Sequence, residues 1–144
     1  MEASGNVTIN GIITANGAVT DDEHCGGGSG GGIYITCAGS FSGTSGLLWA
    51  IGGSVKDAPP QGGGGGGGRI AVWYGVADWR RARILAGNMA RVVITNSYSG
   101  FSGAVSVTNG AGSLNPPDPG GAYPGTTIFL TVIEPPIGTL VGIH

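Results

Sequence analysis

Charge is what this 144-residue chain has least of: six Lys and Arg and eight Asp and Glu, together 10% of residues, leave a formal net charge of -2. A nucleic-acid binder needs a strong positive field, so that balance argues against one. A solvated coil needs many charges and few apolar residues, whereas 40% of this chain is hydrophobic, which argues for a folded domain. No apolar stretch reaches the ~20 residues of a membrane-spanning helix, and no basic-then-apolar leader follows Met1, so export is not legible at that end. Cysteine is reduced to Cys25 and Cys37. They leave two readings open, a staple around a short loop in an oxidising compartment or two buried thiols.

Glycine fills the gap. The 32 glycines are about three times the usual share, with no Gly-X-Y period to indicate collagen. They fall in runs: residues 26–32 read Gly-Gly-Gly-Ser-Gly-Gly-Gly and lead into Ile33-Tyr34-Ile35-Thr36-Cys37, while seven glycines at 62–68 lead into Arg69-Ile70-Ala71-Val72-Trp73-Tyr74. A glycine run delivering the chain to a β-branched and aromatic strand, twice over, marks a repeated supersecondary unit. Phe41-Ser42-Gly43 returns as Phe101-Ser102-Gly103, and the strand type of 7–11 returns at 104–110. Length and repetition together make residues 1–144 a single domain.

The runs are not nucleotide loops. Any glycine string matches G-x-G-x-x-G, and Gly68 is followed by Arg69-Ile70 rather than by Lys and Ser or Thr. Their structural use is close approach of backbones. Within the strands, Ile33 and Ile35 alternate with Tyr34 and Thr36, and Ile70, Val72 and Tyr74 with Ala71 and Trp73, so one aliphatic face builds a core. Asn10 and Asn16 precede glycines, as turn residues do. One segment breaks the pattern. Asp78 as N-cap, Trp79, Ala82 and Leu85 at helical spacing and Gly87-Asn88 as a stop predict a helix over about 79–86, in an insertion of about 78–90. Its arginines are expected on the solvent side, as a cap over an open end. An apolar tail occupies 134–144.

Short strands between glycine corners predict an all-β, glycine-rich β-solenoid with ordered polyglycine segments and one helical insertion. The segments GGGSGGGIYITC, GGGGGGGRIAVWYG and FSGAVSVTNGAG resemble the glycine-rich units of very large bacterial surface and extracellular proteins. That resemblance implies a parallel β-helix related in outline to adhesin and autotransporter passengers, an extracellular or cell-surface location, and no catalytic residue.

Site chemistry is sparse. Among the carboxylates only Asp21, Asp22 and Glu23 cluster, as sequence neighbours, so a polysaccharide-active enzyme ranks last and calcium there ranks below a solvated turn. His24, Cys25, Cys37 and His144 fit no zinc spacing. No metal, cofactor or catalytic residue is expected. The leading expectation is a structural protein that self-assembles head-to-tail into a filament or surface layer, its partners being copies of itself. Val7, Ile9 and Ile12 in one terminal strand pair, Ile128, Leu130 and Val132 in the last strand, and Ile137, Leu140 and Val141 in the tail would carry the contacts. The alternative is an adhesin module that recognises glycans through Tyr34, Trp49, Trp73 and Tyr74.

Overall fold

The computed structural model describes residues 1–21, 25–55, 62–88, 93–96, 100–112 and 122–133, with the backbone alone for 93–96 and 133. Among these residues ten strands and one helix follow in order: β1 (Glu2–Ala3), β2 (Val7–Thr8), β3 (Ile12–Thr14), β4 (Gly32–Cys37), β5 (Phe41–Ser42), β6 (Leu47–Trp49), β7 (Arg69–Trp73), α1 (Asp78–Leu85), β8 (Val93–Asn96), β9 (Ala104–Ser106) and β10 (Thr126–Ile133). Most strands are two to five residues long because glycine or asparagine interrupts each β-branched run before it can lengthen.

The strands form three sheets, ordered β1-β4-β7-β10-β8, β2-β5 and β3-β6-β9. Parallel pairing aligns like with like. Ile33 faces Ile70, which faces Thr127, and Ile35 faces Val72, which faces Phe129. These side chains point inward, and Ile35, Ile70, Val72 and Phe129 are fully buried. Three phenyl rings close the core, with Phe41 centred 5.1 Å from Phe101 and 5.9 Å from Phe129. The corners are tied by asparagine. Asn6 Oδ1 accepts from Ser40 N and Asn10 Oδ1 from Thr44 N, each 34 residues on, and Asn16 Oδ1 accepts from Ile51 N, 35 residues on. Sequence placed Asn10 and Asn16 in local turns; in the fold their side chains satisfy amides in the next passage of the chain.

The expectation of an all-β parallel β-helix or solenoid is corrected. The principal sheet is mixed, since β10 runs parallel to β7 but antiparallel to β8, and a helix separates those neighbours in sequence. β8 takes the edge of β10 that β7 leaves free and runs the other way, with Leu130 opposite Asn96 and Ile133 opposite Val93; without it that edge would present unpaired amides and carbonyls.

Helix α1 begins one residue before the expected position. Ala77 is its N-cap, without a side-chain cap hydrogen bond, and Asp78 instead sits in the first turn. Its end is as read. Gly87 adopts φ 71°, and the bonds Gly87 N to Ile84 O and Asn88 N to Arg83 O close the last turn, the Schellman pattern that glycine favours. Only Arg83 of the three arginines is exposed; Arg80 and Arg81 are half-buried. Arg81 reaches back to β1, its Nη2 2.9 Å from Glu2 Oε1 and its Nη1 2.9 Å from Asp78 Oδ1. Burial works against the Arg81 charge, but the Glu2 hydrogen bond and the fields of Tyr34, Asp78 and Glu2 outweigh it and raise its pKa. Both carboxylates are at least half exposed, so this tie contributes no more than about 1 kcal/mol. None of α1's residues is buried, and Trp79 and Leu85 stay exposed.

Candidate functional site

The glycine runs meet in a single hydrogen-bonded array. Gly27 and Gly30 donate their amides to Gly63 and Gly66 O, at 2.9 and 2.8 Å, while Gly28 and Gly31 donate to Ala18 and Ala15 O, at 2.9 and 2.7 Å. Gly65 and Gly68 likewise donate to Gly53 and Ala50 O, at 2.9 and 2.7 Å. Amides that repeat their direction every third residue define an extended helix of three residues per turn, the polyproline II type, which makes no internal hydrogen bonds and must find partners outside itself. The run at 62–68 is the central rod. It bonds to 26–31 and 50–53 as above, accepts from Gly110 N at Gly65 O, and donates from Gly67 N to Tyr123 O, each at 2.9 Å.

Rods this close leave no room for side chains. A Cβ on Gly65 would meet Gly28 O, one on Gly53 would meet Ala18 O, and one on Gly110 would meet Gly53 O, all inside van der Waals contact with fixed backbone. Gly66 differs, since its Cβ would find Tyr123 O at an ordinary 3.7 Å. Sequence foresaw close backbone approach here, while the period-three lattice depends on which rods become neighbours.

A second feature is the unpaired side of the first passage. β1, β2 and β3 are edge strands of three different sheets, paired only with β4, β5 and β6 respectively among the described residues. β1 covers only the last part of β4, with Glu2 opposite Thr36 and Ala3 opposite Cys37. Upstream of that, a depression of about 200 Å³ opens between Met1, Ile13, Ala15, Ile33 and Tyr34. Val7 and Ile9, expected as contact residues, point into the protein's own core at 7% and 9% exposure, whereas Ile12 stands 65% exposed. At the other end of the sequence Ile128 is 38% exposed on the outer face of the principal sheet, and Leu130 and Val132 are half-buried. Ile137, Leu140 and Val141 lie outside the described residues, as do Asp22, Glu23, His24 and His144.

The four aromatics do not form a platform. Tyr34 is 49% exposed, but Trp73 and Tyr74 are buried at 6% and 7%, and Trp49 is half-buried in β6. Tyr74 belongs to the core cluster with Ile70 and Val72, as the alternation in β7 predicted. Trp73 is on the opposite side of its strand and is buried too.

Both cysteines are free thiols, Cys25 exposed and Cys37 buried. Cys37 points its Sγ at Gly39 O, 3.4 Å away, and at Ser40 O, 3.7 Å away, so its side chain is directed into the β4–β5 corner. Burial pushes the Cys37 thiol above its ordinary value, while a hydrogen bond from the Gly75 backbone pulls the other way. A thiol reagent at about pH 8 should therefore label Cys25 rapidly and Cys37 only on unfolding, as peptide mapping by mass spectrometry would show. Equal labelling in the native state would contradict the buried placement. A raised folded-state pKa also means that the Cys37 contribution to stability is complete below the unfolded thiol pKa of about 8.5 and is lost as pH climbs through the folded value.

Among the described residues no three His, Cys, Asp or Glu side chains gather as metal ligands, and no helix is long and apolar enough to cross a membrane. Comparison with known proteins gives no match: no family model, no curated protein and no solved structure matches the chain.

Proposed function

We propose that this protein is a structural element of an extracellular or cell-surface assembly, which joins copies of itself through strand edges around a stiff glycine core. The observation that carries the reading is the gathering of three edge strands, one from each sheet, in the first fourteen residues. Unpaired edges are templates for another chain, and main-chain hydrogen bonds supply affinity in such strand addition. Contacts between one end of a molecule and a different end of the next do not close, so they propagate. The low charge of the surface leaves little repulsion to oppose packing of copies. Burial of Trp73 and Tyr74 removes half of the proposed aromatic platform from solvent, which favours the structural reading over an aromatic glycan binder.

Sedimentation velocity and negative-stain microscopy of the full chain, of Ile12→Lys and of a chain ending at Glu134 test the proposal. The full chain should form long assemblies. Ile12→Lys places a charge on an exposed edge residue, so it should shift the population to monomers while changing folding stability by no more than about 0.5 kcal/mol. Loss of the tail should shorten the assemblies. A monodisperse monomer from the full chain at all concentrations would overturn the reading.

A further inference from the structure

A groove of about 390 Å³ runs across β4, β7 and β10 where the glycine array hands over to the principal sheet. Six glycines, Arg69 and Thr126 line it. Gly32, Arg69 and Thr126 lie side by side in register on the outer face of the sheet, and all three are exposed. Arg69 Nε donates to Thr126 Oγ1 at 3.3 Å, which holds the guanidinium across the groove and leaves its terminal amino groups to other partners. No carboxylate among the described residues is ion-paired with Arg69.

Gly32 separates this groove from mere surface relief. The array glycines are small because a Cβ would strike backbone, but a Cβ on Gly32 would meet nothing closer than Arg69 O at 4.0 Å. Internal packing thus does not require glycine at 32. A side chain there would fill the groove beside Arg69. Tyr34, two residues further along the same face of β4, is half exposed and walls the adjoining depression, which Gly32 also lines.

We infer that this groove binds an acidic polysaccharide, a uronate chain whose carboxylate meets the Arg69 guanidinium and whose sugar ring lies against Tyr34. A guanidinium matches a carboxylate with two parallel hydrogen bonds. An aromatic face takes the apolar side of a sugar ring, and a floor of bare backbone admits an extended chain. The inference concerns the outer face of the principal sheet, where Gly32 and Tyr34 also border the depression beside the first-passage edge, and it does not require self-association there.

Isothermal titration of the full chain with an oligogalacturonate, a neutral oligoglucan and poly-glutamate tests it, alongside Arg69→Gln, Gly32→Leu, Tyr34→Ala and the control Arg83→Gln on α1. Thermal unfolding of every variant checks that each is folded. The uronate chain should bind and the neutral glucan should not. Arg69→Gln should weaken binding about tenfold or more, Gly32→Leu should abolish it and Tyr34→Ala should reduce it, while Arg83→Gln leaves it unchanged. Failure of the uronate chain to bind, equal binding to folded Arg69→Gln, or poly-glutamate binding as tightly as the uronate would each overturn the inference.

Discussion

Alanine at Gly65 is expected to cost at least about 4 kcal/mol and to leave the protein largely unfolded, whereas alanine at Gly66, the next residue, should be neutral or stabilise by up to about 1 kcal/mol. The contrast follows from the three-residue turn of the glycine rods. At Gly65 a Cβ would clash with Gly28 O and lie 2.9 Å from Gly27 O, atoms that belong to a neighbouring rod. Gly28 O accepts from Gly53 N at 2.8 Å. To admit the methyl, the rods must separate and break several such bonds. Each buried amide or carbonyl left without a partner costs about 1 to 3 kcal/mol. At Gly66 the nearest atom to a Cβ is Tyr123 O at 3.7 Å, so the methyl finds ordinary contact and alanine reduces only the freedom of the unfolded chain. Urea denaturation of the two variants decides the matter. Equal losses at both positions would mean that the run is merely a flexible spacer.

Truncating Phe129 to alanine should cost about 3 to 5 kcal/mol. Phe129 is fully buried in β10 and contacts both other rings of the core, with centroids 5.9 Å from Phe41 and 6.2 Å from Phe101. Phe41 belongs to the two-stranded sheet and Phe101 follows Gly100, whose φ of 79° turns the chain inward. The cluster therefore joins segments from separate passages of the chain, and a cavity there loosens all of them. A double-mutant cycle with Phe41→Ala should show coupling of about 0.5 to 1.5 kcal/mol. Tyr123→Ala, at a site 83% exposed, is the control and should change stability by no more than about 0.5 kcal/mol. A Phe129 loss as small as the control's would remove the phenyl cluster from the account of the core.

Local pattern alone determined a good part of this protein. Alternation in Ile33–Cys37 and Ile70–Tyr74 named the buried aliphatic faces, because a strand's side chains leave the pleat on opposite sides whatever the strand pairs with. Gly87-Asn88 marked the end of α1, because the closing turn needs a residue free to adopt positive φ. Glycine runs without charge announced backbones in contact. The tertiary structure alone decided the rest. Which rods neighbour one another, and hence why Gly65 and Gly66 differ, depends on passages as far apart as Gly27 from Gly63 and Gly67 from Tyr123, and no short window of sequence contains such separations. The antiparallel seat of β8 on the edge of β10 away from β7 depends on which passage of the chain reaches that edge, which no local pattern records. Burial of Trp73, which withdrew it from the aromatic surface, and the meeting of Gly32 with Arg69 in one groove are likewise facts of register. Sequence specifies what each residue can satisfy on its own strand or turn, and only packing specifies which distant backbone arrives to meet it.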